Sequence, residues 1–324
     1  MSNLWLFAVG RVARAFPLVV LLLGFNFVMI HTAPGDPVAM LIGDAEAPEL
    51  IETVRRDFGL DKSMPEQLIA YGSNIIRGNM GISYRYRLPV GGLITERLPA
   101  TLLLMGSAFL ISMLVGTILG VVAAVRRGTW LDSGLSVLAL LGASVPVFWV
   151  GMLLLLAFAV NLRWLPLYGV STVGFRADGI WDLVSDRVRH LILPSVTISV
   201  GQLALIFRVT RNRMIEELSK DYITQARAKG VPITRVWGVH ALRNVALTLV
   251  TIAGLRIGVL FSGALLTEVV FAWPGIGQLM YGAMVGRDYP IVMGVFAMVV
   301  AVTVLANVVT DISYGFLDPR VRYG

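Results

Sequence analysis

The stretch "DYITQARAKGVPITRVWGVHALRN", Asp221 to Asn244, is polar and basic, yet it lies between two hydrophobic runs. Its residues spell helix, turn, helix. Asp221 is placed to cap a helix that begins at Tyr222, and Gly230 to end it in the left-handed conformation. Pro232 suits the first turn of a second helix, which passes Val236, Trp237 and His240 and reaches Asn244. Ala226, Ala228 and Gly230 are small and closely spaced, while Val231, Val236, Val239 and Leu242 recur at helical spacing. A rigid knob that docks against a partner needs both features, because small side chains let backbones approach and basic groups fix orientation. A solvated basic loop is the alternative these residues leave open.

The surroundings are those of a membrane protein. Of 324 residues, 56% are hydrophobic and only 15% charged, and the mean hydropathy is +0.78. Soluble domains stand nearer about 45–50% apolar and about 25% charged. Cysteine is absent, which excludes disulfide, iron–sulfur and thiol chemistry. His31, His190 and His240 are isolated, with no ligand partner at metal-site spacing. The net charge of +7 lacks the aromatic-interleaved basic platform of a nucleic-acid binder.

An all-α fold with six membrane-spanning helices is expected, since a span needs roughly 20 mostly apolar residues. Residues 16–30 follow Arg11 and Arg14 as a signal peptide would, but no small-residue cleavage site follows, so a retained first helix is expected. The others cover about 99–125, ending at Arg126 and Arg127; 134–160, kinked at Pro146; a short 191–207; 246–272; and 290–312. The short one carries Pro194, Ser195, Thr197, Ser199, Gly201 and Gln202, so a re-entrant or surface helix is its alternative. With six spans, both termini and the basic segments at Arg126–Arg127 and 208–244 fall on one side, which the positive-inside tendency makes cytoplasmic. Residues 32–98 then form a small helical domain outside, between an N-terminal segment (1–31) and a membrane core (99–324). Leu50, Val54 and Phe58, then Leu68, Tyr71 and Ile75, carry its helical spacing. Gly59 is its internal stop, Asp61 or Ser63 the next N-cap, with Pro65 in the first turn.

At this point the sequence resembles a known family. Residues 221–244 look like the cytoplasmic coupling loop of permease subunits in binding-protein-dependent ABC importers, whose usual form is Glu-Ala-Ala, three residues, then Gly. Here Thr224, Gln225 and Ala226 hold the first three places and Gly230 the last. Two leading positions depart from the general pattern, but "ARAKG" followed by "HALRN" is close to the wording of the dipeptide/oligopeptide branch. "PGDP" (34–37), "FGLD" (58–61), "RGNMGISY" (77–84), "ERLPATL" (96–102), "RRGTWLD" (126–132), "SVPVFW" (144–149), "WLPLYG" (164–169) and "TEVVFAWPGIGQL" (267–279) all fit that branch in order.

The resemblance implies a type I importer fold in the bacterial inner membrane. It implies a second, paralogous permease subunit, two cytoplasmic ATPase subunits and an external solute-binding protein as partners. The coupling residues it points to are Asp221, Tyr222, Thr224, Gln225, Ala226, Arg227, Ala228, Lys229, Gly230, His240, Arg243 and Asn244. No G-x-x-x-x-G-K-[ST] occurs, so ATP and its Mg²⁺ are expected on the partner ATPases and no cofactor on this chain. The branch serves dipeptides, oligopeptides, nickel chelates or glutathione; the resemblance makes inward transport of di- or oligopeptides the expectation, with nickel chelates or glutathione as the alternative.

Within the spans, Arg256 is the sharpest residue: a central Arg costs about 2.5–3.5 kcal/mol on insertion scales and rarely faces lipid. It is a candidate lining of the translocation path, with Ser199, Gln202 and Ser144; an ion pair to another span is the alternative. Two small-residue stripes, Ser112/Gly116/Gly120 and Gly254/Gly258/Ser262, suit close helix contact within the chain or between subunits. Trp164, Pro166 and Tyr168, and Trp273, Pro274 and Gly275, are boundary residues: an aromatic belt or, by resemblance, loops that meet the binding protein. A proton-coupled carrier is the rival function, with Glu268 and Asp311 as its only acidic candidates.

Overall fold

The computed structural model describes residues 17–30, 32, 61–176, 178–257, 260 and 264–317. Among them helix dominates, and the one β-feature is an isolated bridge between Ile82 and Pro89. The helices are α1 (Pro17–Ile30), α2 (Met64–Ile76), α3 (Val90–Val125), α4 (Trp130–Ser144) and α5 (Val147–Leu154), which runs on as a π-helical turn over Leu155–Asn161. Then come α6 (Ile180–Leu218) and α7 (Asp221–Ala228). α8 is a continuous run: one turn at Ile233–Arg235, a π-helical stretch at Val236–Ala241, and α-helix over Leu242–Ile257. The last three are α9 (Leu265–Val270), α10 (Ile276–Val285) and α11 (Tyr289–Leu317).

Among the described residues, four helices are long and apolar enough to cross a membrane: α3, α6, α8 and α11. The α4–α5 pair makes a fifth if counted as one broken span. This is a multi-pass membrane protein, although the described residues do not reach the expected six spans. Three of the expected spans are corrected. The one over 134–160 is two helices meeting at 105°. Pro146 has no N–H to continue the ladder, and it forces Val145 into an extended conformation (φ −84°, ψ 133°). The short span over 191–207 is the middle of the 39-residue α6; its charged flanks hid the full length from hydropathy, and Pro194 sits inside the helix without ending it. The span over 246–272 is not one helix either. It starts at Ile233, and the next described helix begins at Leu265.

The chain forms two compact units. The first contains residues 1–99, 257–265 and 275–324. Val90, Ile94, Ile276, Ile291 and Val295 form its core, and the "RGNMGISY" motif folds around Asp288. That carboxylate, 1% exposed, accepts from the Ser83 hydroxyl (2.5 Å) and from the backbone N–H groups of Tyr84 (3.1 Å) and Arg85 (3.0 Å). Of the expected caps for α2, Ser63 is the one used: Glu66 accepts from its N–H and its hydroxyl. Leu50, Val54, Phe58 and Gly59 lie outside the described residues.

The second unit contains residues 100–256 and 266–274. α3 and α6 touch along a glycine seam: a Cβ on Gly120 would stand 2.7 Å from the Thr210 Cβ, and one on Gly116 2.9 Å from the Ile206 Cβ. The Ser112/Gly116/Gly120 stripe therefore packs within the chain. Gly258 and Ser262 of the other stripe lie outside the described residues. α4 is pinned to α6 by Arg211, whose Nε and Nη2 donate to both Asp132 oxygens at 2.6 and 2.8 Å.

Candidate functional site

The polar stretch folds into a short helix, a tight turn and the start of a long one. α7 begins at Asp221 itself, behind an extended Lys220 (φ −77°, ψ 151°), and no side chain caps it. Asp221 is thus not the N-cap; its carboxylate sits in the first turn, where the helix dipole favours it. Gly230 takes φ +78°. Its N–H donates to the Arg227 carbonyl (3.0 Å) and that of Val231 to the Ala226 carbonyl (3.1 Å), the two bonds of a Schellman close. The second helix does not stop at Asn244. Nothing after that residue breaks it, and it runs on into the apolar part of α8.

The underside of this stretch is a hydrophobic core. Ile223 of α7 and Val236 and Ala241 of α8 are fully buried with Val121, Met214, Val245 and Leu249. The upper side is polar. Asp221, Thr224, Gln225, Arg227, Ala228, Lys229, Gly230, His240, Arg243 and Asn244 are exposed, and Ala226 is half-buried.

Glu217, near the end of α6, ties the parts together. It is buried (7% exposed). Oε1 accepts from the Tyr222 hydroxyl (2.6 Å) and Asn244 Nδ2 (2.7 Å), and Oε2 from Lys220 Nζ (2.6 Å). Asn244 also donates to the Tyr222 oxygen (3.0 Å), and the His240 carbonyl lies 3.4 Å from it. One carboxylate thereby fixes the end of α6, α7 and α8. Burial pushes the Tyr222 phenol up, and its hydrogen bond to Glu217 adds to that. Nothing in the sequence reading singles out Glu217. The signal available was an acid at i, i+3 from Lys220 just before a helix break.

The four path candidates are not brought together. Ser144 and Ser199 donate to carbonyls of their own helices, Leu140 and Val196. Gln202 lies 3.5 Å from the Ser112 hydroxyl of α3. Arg256 is half-buried in the last turn of the described α8, and among the described residues no carboxylate is within ion-pair distance of it.

The boundary loops do meet. The Gly169 N–H donates to the Phe271 carbonyl (3.0 Å), and Leu165 and Val270 both pack against the cluster of Ala159, Leu193 and Phe271. Asp186 of α6 straps the loop by accepting from the Thr172 N–H (2.9 Å) and hydroxyl (2.6 Å), and Arg189 donates to the Trp164 carbonyl (3.2 Å). Trp164 and Tyr168 are exposed and Pro166 is half-buried. Trp273 differs: it is 1% exposed, and its indole N–H donates to the Ala100 carbonyl (2.9 Å), so its ring is an internal strut. Pro274 is half-buried, and Gly275 is buried as the N-cap of α10.

Comparison with known proteins agrees with this geometry. Residues 116–323 match the binding-protein-dependent transport system inner membrane component family, and residues 4–105 match the N-terminal part of such membrane components. The chain is 38% identical over 334 residues to the dipeptide transport system permease protein DppB of Escherichia coli, covering 98% of each. It is 38% identical over 318 residues to the di/tripeptide transport system permease protein DppB of Pseudomonas aeruginosa, covering 92% and 93%. To the probable peptide ABC transporter permease protein y4tP of Sinorhizobium fredii it is 38% identical over 299 residues, again covering 92% and 93%.

Proposed function

The chain belongs to the binding-protein-dependent transport system inner membrane component family, and from that premise we propose that it is the permease subunit of an ABC importer that carries di- or oligopeptides inward. It spans the membrane six times with both termini in the cytoplasm. It pairs with a paralogous permease subunit, and α7 with its Gly230 turn seats in a groove of one of two cytoplasmic ATPase subunits. ATP and Mg²⁺ belong to those subunits. A solute-binding protein meets the loop around Trp164 and Tyr168 from outside.

One observation carries this reading: α7 is a polar-topped helix clamped to the membrane core by buried Ile223 and by Glu217. A stiff knob transmits displacement, whereas a solvated loop would absorb it. ATP-driven closure of the ATPases would therefore move α6 and α8 through α7.

The test is co-purification from solubilised membranes, comparing wild type with the double substitution Gly230→Pro and Ala226→Glu. Proline cannot adopt positive φ, and a carboxylate at Ala226, which packs against the core under α7, unseats the helix that is to dock. The expected result is an ATPase retained by wild type and lost from the variant, with uptake of labelled dipeptide lost in parallel. An ATPase that is never recovered, even after mild crosslinking, would sink the reading.

A further inference from the structure

Arg256 is a cation in the apolar part of α8. Val245 and Leu249 of that helix are buried in the cluster beneath α7, with Val121 of α3 and Ile206 of α6, and Ile252 packs against the same cluster. Arg256 stands eleven, seven and four residues after these three, the spacing of one helix face. Leu247 and Val250, on the other side of α8, are 65% and 55% exposed. The guanidinium therefore leaves the helix on the side that meets α3 and α6. It is half-buried, and among the described residues it makes no hydrogen bond and no salt bridge.

Its depth follows from two registers. Asn244 of α8 is bonded to Glu217 of α6 (2.7 Å). Twelve residues on, about 18 Å along a helix, α8 reaches Arg256; twelve residues back from Glu217, α6 reaches Leu205, inside the apolar stretch 191–207. The cluster gives the same level. Ile252 and Ile206 are its contacts farthest from α7 on the two helices, and Arg256 lies one turn beyond the first as Gln202 lies one turn beyond the second. Arg256 is thus level with the apolar part of α6, not with the polar region beside α7.

A cation at that depth keeps to water or to an anion rather than to hydrocarbon. The most apolar stretch of α8 is 22% buried within the chain, the lowest value among the four long spans, so α8 borders space that the described residues do not fill. Peptides of the class proposed above carry one terminal carboxylate whatever their side chains, and a carboxylate matches the guanidinium fork. A single, partly wet contact is also weak enough to let its solute go, as passage requires.

We propose that Arg256 is the point of the translocation path that holds the C-terminal carboxylate of the passing peptide. The inference rests on the peptide-importer reading given under Proposed function. It adds a second selection for a free carboxylate, made inside the membrane after the binding protein has delivered its solute.

The test is ATP-dependent uptake of labelled alanyl-alanine by the assembled transporter in proteoliposomes supplied with its binding protein. Arg256→Gln should lower the maximal rate at least ~10-fold, the margin of a hydrogen bond to a charged group. The half-saturating concentration, set by the binding protein, should not move. Arg256→Lys should keep most of the rate. Because the chain has no cysteine, Arg256→Cys puts a single thiol at the site. Aminoethyl methanethiosulfonate, which leaves an ammonium on that thiol, should restore uptake, whereas sulfonatoethyl methanethiosulfonate, which leaves an anion, should not. Both are read against wild type treated identically. Alanyl-alanine amide has no carboxylate, so Arg256→Gln should leave its uptake within about a factor of 2 of wild type, well inside the margin above. A thiol that reacts with neither reagent overturns the proposal, since Arg256 would then face lipid or a packed partner. So does an unchanged rate in Arg256→Gln, equal effects of the two reagents, or an amide that loses as much as the acid. Wild type that takes up neither peptide overturns the peptide-importer reading and this inference with it.

Discussion

Asp288 and Glu217 are both buried carboxylates that hold distant segments together, yet they do it with different partners. Asp288 takes two backbone N–H groups and one short hydroxyl, all from residues 83–85. Glu217 takes an ammonium, a phenol and an amide, from Lys220, Tyr222 and Asn244. Backbone donors cannot leave without unfolding a loop. Long side chains can rotate away, and the Lys220 side chain is 47% exposed. The first arrangement is a fixed corner; the second is a joint that holds firmly and has a route to release. A transporter needs both kinds, and the joint lies where force is expected to enter.

The comparison breaks most visibly at Asp288. Asp288→Ala strands two backbone donors and a hydroxyl in a buried site, at roughly 1–3 kcal/mol for each unsatisfied group. Thermal unfolding in detergent should show a loss of at least about 3 kcal/mol, with no rescue from peptide or ATPase. A loss below about 1 kcal/mol would mean that water satisfies the donors and that the corner is not fixed.

Glu217→Ala should cost less stability, about 2 kcal/mol, because its partners turn to solvent. Its effect on coupling should be larger. ATPase activity of the assembled transporter should persist while labelled-dipeptide uptake falls at least ~10-fold, as expected when about 1.4 kcal/mol or more of coupling is lost. If uptake and ATPase activity fall together in proportion, Glu217 is a structural prop like Asp288 and the contrast disappears.

Gly230 comes third. A Cβ there meets nothing within 4 Å, so Gly230→Ala isolates the backbone cost of φ +78°, about 1 kcal/mol. Hydrogen exchange over α7 should accelerate by roughly 5-fold, the factor that such a cost implies in an opening equilibrium. No change would place the left-handed turn outside the joint.

These contrasts divide what the sequence could express from what it could not. The left-handed turn at Gly230 was legible, because Gly between a short polar helix and Pro232 leaves few other conformations. The apolar underside of the polar stretch was legible only in part: Val236 is buried, but Val239 is 53% exposed, because the π-helical stretch over Val236–Ala241 brings Ala241 onto the buried face instead. The 105° break at Pro146 was legible in place but not in size, because a proline disallows the helical ladder without dictating the new direction. The full length of α6 was hidden, because its charged ends lower hydropathy while its tertiary contacts keep them helical. Both buried nodes were invisible: Asp288 lies 205 positions from Ser83, and Glu217 is 27 from Asn244. No local pattern encodes such a pairing. Trp273 was misplaced for the same reason, since a Trp beside a Pro-Gly turn looks superficial until Ala100 supplies its acceptor.

The smallest effect asks whether burial or partner type makes a carboxylate a fixed corner. Glu66 resembles Asp288 in accepting from one backbone N–H and one serine hydroxyl, both from Ser63 (3.0 and 2.8 Å), but it lies open to solvent. Its hydrogen bond from the Ser63 hydroxyl, then that from the backbone N–H, hold its carboxyl below the usual glutamate value. Because the folded value is depressed, the stabilisation is whole above the ordinary glutamate pKa of about 4.3. It is lost as pH falls through the folded value. Hydrogen exchange over α2 should therefore be slower in wild type than in Glu66→Gln at pH 7, and the ratio should shrink as the medium is taken below about pH 4. Taking the ratio at each pH cancels the intrinsic dependence of exchange. A ratio that stays constant across that window would show that the N-cap pair adds nothing when exposed to solvent. Burial would then be what makes the same donor set at Asp288 a fixed corner.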